Sequence, residues 1–269
     1  MSIYLLELRN IRKSAILATL SISAVFIMLL AFFPSMQTES MKALTGAKLE
    51  SIDPAVLAAL GMSEVMDFTV ITNFFGYVLQ FITLVIVVAI TQQAVSLLIK
   101  EETDGTIEYL YAKPVSRSDI FWQKLLAHLT VVVLMMLSYI VVTIAGYMLF
   151  ADYRFGAAAK ETFVFFGAIF FVDLVFSALG IWVSSMLRSN RSAAMVTITI
   201  VFGTFLFGIL SVLIKKLDFL IWLSPLDWIK AKKLLNVGIL PQEYAVGIAV
   251  IVFGMVSAWL HYLKKDLLI

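Results

Sequence analysis

No cysteine occurs in the 269 residues, which excludes disulfides, thiolate metal sites, iron–sulfur clusters and Cys nucleophiles and leaves the redox compartment open. Charge is scarce as well: Asp, Glu, Lys and Arg make up 14% of the chain against 62% hydrophobic residues, and mean hydropathy is +1.00. Such a composition is far too apolar for a soluble domain, so the chain reads as an all-α integral membrane protein. A formal net charge of +2 is near neutral for the length and gives no footing for a nucleic-acid partner. The two histidines, His128 and His261, lie on different apolar stretches and read as interfacial residues rather than metal ligands. No G-x-x-x-x-G-K-[ST] phosphate loop is found, so the chain carries no marker of its own for ATP hydrolysis.

What is present is organised around one charged island, Lys100 to Lys124, reading KEETDGTIEYLYAKPVSRSDIFWQK. The flanking stretches 68–99 and 125–151 carry no Asp, Glu, Lys or Arg, and each is long enough to cross a bilayer as a helix. The island therefore sits in water at a membrane face. Pro114 breaks it, and Ser116 with Asp119 has capping-box spacing for the helix that follows. The pattern predicts a short helix beside the membrane joined by tight corners to two spans.

Residues 1–13, MSIYLLELRNIRK, suggest an amphipathic interfacial helix with Glu7, Arg9, Arg12 and Lys13 turned away from its apolar side. Six spans are expected at roughly 14–34, 75–98, 120–149, 162–187, 192–214 and 244–262. Pro34 ends the first. Its apolar stretch is too long for a signal-peptide core and reads as retained. Segments 35–68 and 215–243 are expected outside, 99–119 inside, and both termini in the cytoplasm. ADYRFGAAAKE reads as a turn between spans three and four. Charge counting favours this orientation through Arg9, Arg12, Lys13, Lys100, Lys113, Arg117 and Lys124, yet Lys215, Lys216, Lys230, Lys232 and Lys233 fall on the outer side. Segment 215–243 carries Trp222, Trp228, Pro225, Gly238 and Pro241 among short apolar runs, the composition of re-entrant or interfacial helices with aromatic anchors and snorkelling lysines.

This arrangement resembles the permease subunit of type-two ATP-binding-cassette (ABC) exporters. The resemblance is carried by Glu101, Glu102, Gly105, Thr106 and Glu108, then Lys113, Pro114, Ser116 and Arg117, then Lys124, Leu125, Leu126 and Ala127; SSMLRSNRSA at 184–193 and LSPLDW at 223–228 add to it. It implies a single transmembrane domain over 1–269 in a prokaryotic plasma membrane. It further implies a dimer of two permeases, alike or different, each resting on a separate ABC ATPase subunit that binds ATP and magnesium while this chain binds no cofactor. A cytoplasmic coupling helix between spans two and three is implied within about Thr103–Tyr111, docking on the ATPase. In that reading Glu101, Glu102 and Glu108 meet basic groups of the partner, Ile107, Leu110 and Tyr111 fill its groove, and Gly105, Thr106 and Arg117 belong to the same surface.

Asp173, near the middle of span four in FFVDLVFSALG, is a costly residue at that depth. It reads either as a lining or gating residue on a polar path, or as a hydrogen bond to Tyr139, Thr143 or a partner subunit. Gln92 and Gln93 read as packing or headgroup contacts, and Gly203, Gly208, Gly247 and Gly254 permit close helix approach. Two other classes fit the residues: a membrane anchor or sensor using the island to dock a soluble partner, and a lipid-acting membrane enzyme, which the scarcity of histidine and lack of cysteine disfavour.

Overall fold

The computed structural model describes residues 2–38, 67–105 and 115–265, and every regular element among them is helical. In chain order these are α1 Ile3–Met36, α2 Ile71–Ser96, the short α3 Lys100–Thr103, α4 Arg117–Phe150, α5 Phe155–Met186 and α6 Ala193–Leu213, the last entered by a 3-10 turn at Asn190–Ser192. A 3-10 stretch Lys215–Leu223, α7 Pro225–Trp228 and α8 Ala231–Asn236 then lead into α9 Pro241–Lys264. Six of them, α1, α2, α4, α5, α6 and α9, are long and apolar enough to cross a membrane. Thr106, Ile107, Glu108, Leu110 and Tyr111 lie outside the described residues, as does most of 35–68.

The N-terminal expectation changes. Residues 3–13 are not a separate interfacial helix but the first three turns of α1, because neither Gly nor Pro interrupts the chain between Ile3 and Phe33. Ser2 caps the start by accepting from Leu5 N at 3.4 Å, and Pro34 sits within the last turn rather than ending the helix ahead of itself. At 1.5 Å per residue, 34 residues make about 51 Å, against about 30 Å of hydrocarbon, so α1 projects well beyond the bilayer. The expected turn ADYRFGAAAKE is likewise mostly helical. Only Ala151–Arg154 turn, with Asp152 at φ 54°, since the run from Phe155 is rich in alanine, the best helix former. Glu161 closes that end of the bundle, accepting from Thr72 Oγ1 at 2.6 Å and from Tyr153 Oη at 2.7 Å. The same hydrogen bond holds the Tyr153 phenol above its ordinary pKa.

α5 is the central helix, packed against α2, α4 and α9, while α1 lies along α4 and α6 leans on α2. Phe26, Phe75, Tyr139 and Phe166 stack in the middle of the core with ring centroids 5.6–6.4 Å apart. Large exposed apolar side chains are spread over α1, α4, α6 and α9, as a lipid-facing surface requires.

The stretch before α9 corrects a second expectation. Trp228 is not a headgroup anchor: it is 1% exposed, donates Nε1–H to Ile221 O at 3.1 Å, and stacks on Phe171. Two glycines admit it and its neighbours. A Cβ on Gly208 of α6 would overlap the Asp227 carboxylate and stand 2.7 Å from Ser224 Oγ, and one on Gly247 of α9 would run into Phe171. Asp227 accepts from Ser224 Oγ at 2.5 Å and pairs with Lys230, and Lys233 pairs with Glu243. Two of the five anomalous cations thus pair with acids of the same stretch. Gly208→Val should therefore destabilise the purified chain by about 1–3 kcal/mol in thermal unfolding, whereas Gly203→Val, whose Cβ meets open space, should stay within about 0.5 kcal/mol.

Candidate functional site

The short helix α3 hangs between the C-terminus of α2 and the chain leading to α4, and its two adjacent glutamates point to different neighbours, as side chains about 100° apart on a helix must. Lys124 of α4 donates to Glu101 Oε1 at 2.5 Å, to Glu7 Oε2 of α1 at 3.2 Å, and to Leu97 O at 2.8 Å. Leu97 is the C-cap of α2, so the ammonium occupies one of the carbonyls that a helix end leaves unsatisfied. All three ammonium protons are used. Glu7, Glu101 and Lys124 are 2%, 8% and 1% exposed, so this is an ion triad inside the protein.

The second glutamate repeats the device. Lys265, just beyond α9, donates to Leu187 O at 2.7 Å, the C-cap of α5, and stands 2.8 Å from Glu102 Oε1 as an ion pair. Arg117 at the start of α4 caps α9 in turn, donating to Leu263 O at 3.2 Å and Lys265 O at 2.9 Å. Neutral bonds complete the fastening: Leu98 N donates to Ser184 Oγ at 3.0 Å, Asn190 N to Thr103 Oγ1 at 2.9 Å, and Ser96 Oγ to Asn190 Oδ1 at 2.9 Å. Ser116 and Asp119 form the expected capping box at the entry to α4.

Of the residues read from sequence as a docking surface, Glu101, Glu102 and Arg117 are thus engaged inside the chain, while Gly105 is exposed, as is Asp104 beside it. Gly105 adopts φ +66°, a left-handed conformation that ends α3 and sets the direction of the chain beyond it. Sequence reasoning missed Glu7, Lys124 and Lys265 as partners. One signal was available: Glu7 interrupts the four-residue spacing of Ile3, Ile11 and Ala15, all buried, so it lies on the packed side of α1 and not, as its charge suggested, on the wet side.

Deeper in the bundle His128 is buried rather than interfacial, with Nδ1 2.9 Å from Gln93 Oε1 on α2 and Nε2 2.9 Å from Ser177 Oγ on α5. It ties three helices together, and Gln93 is a packing contact. One turn from Ser177, Asp173 is 0% exposed, and neither carboxyl oxygen has a hydrogen-bond partner among the described residues. Tyr139 lies within its electrostatic reach, yet no bond joins Asp173 to Tyr139 or Thr143. Asp173→Asn, which keeps size and removes the charge, should retain the folded yield within about twofold, because a neutral amide avoids the cost of a bare ion. Asp173→Lys should lose more than about tenfold, a central lysine costing about 2.5–3.5 kcal/mol on insertion scales. Size-exclusion profiles of the two variants check this. Among the described residues no three His, Asp or Glu side chains converge as a metal site.

Six apolar helices carrying an internally bolted elbow with an exposed tip define a polytopic helical membrane protein. A family model described as ABC-2 family transporter protein matches residues 1–264, so the chain belongs to that family and is the membrane permease component of an ABC transporter, a transport subunit rather than an enzyme. A search of curated proteins finds no match.

Proposed function

We propose that this permease works as an exporter in a prokaryotic plasma membrane, with both termini in the cytoplasm. It would be driven by a separate ATPase subunit that binds ATP and magnesium and docks on the elbow, and paired with a second permease subunit. The observation that carries the reading is the asymmetry of α3: one side pairs with Lys124 of α4, itself bonded to Glu7 of α1, and with Lys265 just beyond α9, and the other ends in exposed Asp104 and Gly105. A push on the tip cannot be absorbed locally, because the buried charges beneath it are costly to separate. ATP-dependent closure of the partner subunits would move α2 and α4 together with α1 and change access to a path between the two permeases, so that cargo leaves toward the outside or passes from the inner to the outer leaflet. Docking itself falls to the tip and to Thr106, Ile107, Glu108, Leu110 and Tyr111. Glu101, Glu102 and Arg117 hold the tip in place rather than touch the partner. Asp173, fully buried and without a hydrogen-bond partner among the described residues, would meet the cargo path only when the helices around it move apart.

Purification from native membrane in mild detergent tests this. A nucleotide-binding ATPase should remain bound; retention of a different soluble protein, or of none under conditions that keep the permease folded, would overturn the assignment.

A further inference from the structure

The geometry points to a binding site for one anionic phospholipid, from the leaflet at the N-terminal end of α1, in the groove between α1 and α4. The groove has a volume of about 610 Å³ and is floored by Ala15, Val131 and Met135. Its two hydroxyls are spent on their own helices: Thr19 donates to Ala15 O at 2.7 Å and Ser138 to Leu134 O at 2.9 Å. What remains is a hydrocarbon-lined trough about 12 Å long from Arg12 to Leu20, most of one leaflet of about 15 Å.

Its mouth is cationic. Arg9 and Arg12 line the same groove, three residues apart on the stripe that continues through Ile16 and Thr19, and both are exposed. Neither guanidinium has a hydrogen-bond or ion-pair partner among the described residues. The two cations that α3 holds, Lys124 and Lys265, are by contrast paired. Two unpaired guanidinium groups above an acyl-sized trough match a phosphate carrying a net negative headgroup, which a forked donor binds well. Since hydrocarbon gains nothing by leaving one apolar surface for another inside a bilayer, selection among lipids falls to the charge. A second copy of the chain is the poorer occupant, because a two-fold contact on this face would bring four guanidinium groups together. The site is independent of what the transporter carries.

The test uses the full chain in phosphatidylcholine vesicles. The absence of native cysteine allows a single fluorophore at Leu17→Cys, beside the groove and 68% exposed. Brominated phosphatidylglycerol should quench it at mole fractions where brominated phosphatidylcholine does not. Arg9→Gln with Arg12→Gln should raise the half-quenching fraction about 25-fold, roughly fivefold per cation. Arg188→Gln with Arg191→Gln, on the link between α5 and α6, should leave it unchanged. Equal shifts from both pairs would reduce the effect to general surface attraction, equal quenching by the two lipids would remove the selectivity, and efficient cross-linking between copies at Leu134→Cys would give the groove to a second subunit; each overturns the proposal.

Discussion

Lys124→Met is expected to destabilise the purified chain by about 3–5 kcal/mol, the largest effect of any single substitution considered for this protein. The change removes one ammonium and leaves Glu7 and Glu101 facing each other at 2% and 8% exposure, with the α2 carbonyl of Leu97 stripped of its donor. A buried charge without its partner cannot recover its hydration, and two like charges add repulsion. The combined variant Glu7→Gln, Glu101→Gln, Lys124→Met keeps the volumes and removes every charge, so it should recover most of the loss. Thermal unfolding of the four single and combined variants checks both statements. Recovery in the triple variant with no return of ATPase retention would mean that the ions serve coupling as well as stability; no loss in Lys124→Met would mean that the triad contributes neither.

The second large effect is expected at Gly105, and on partner binding rather than stability. Proline is confined to φ near −65° and cannot follow the +66° that ends α3, so Gly105→Pro redirects the chain as it leaves the elbow. Little is lost from the fold, since a Cβ at Gly105 meets nothing within 4 Å. The expected outcome is a folded, membrane-inserted permease that retains at least tenfold less ATPase, with Gly105→Asn, which tolerates the left-handed region, close to wild type. Co-purification of the ATPase, normalised to permease, measures it. Glu101→Lys, which sequence alone offers as an equivalent probe, is not one: it places a second ammonium against Lys124 inside the protein, so any loss of docking would be mixed with unfolding.

The apolar runs were legible because each must exceed the bilayer thickness and the charged residues between them mark where water begins. Pairing was not. Among six helices of similar hydropathy, nothing in a run of Leu, Val and Phe says that α5 lies at the centre or that α1 lies along α4. Trp228 shows the same gap: its composition matches an interfacial anchor, and only the clearances at Gly208 and Gly247 place it in the core. Charge misled in one direction throughout. Glu7, Glu101 and Glu102 were all read as facing water or a partner because they are acids, and all sit against lysines contributed by other parts of the chain.

Composition and run length alone determined that the chain is a six-span helical membrane protein with a charged elbow after the second span, because transfer of apolar surface out of water depends on local sequence and needs no knowledge of neighbours. Only the tertiary structure decided which elbow charges face inward. An ion buried within a protein persists only where a partner from a distant part of the chain is held a few ångströms away, and that distance is a property of packing.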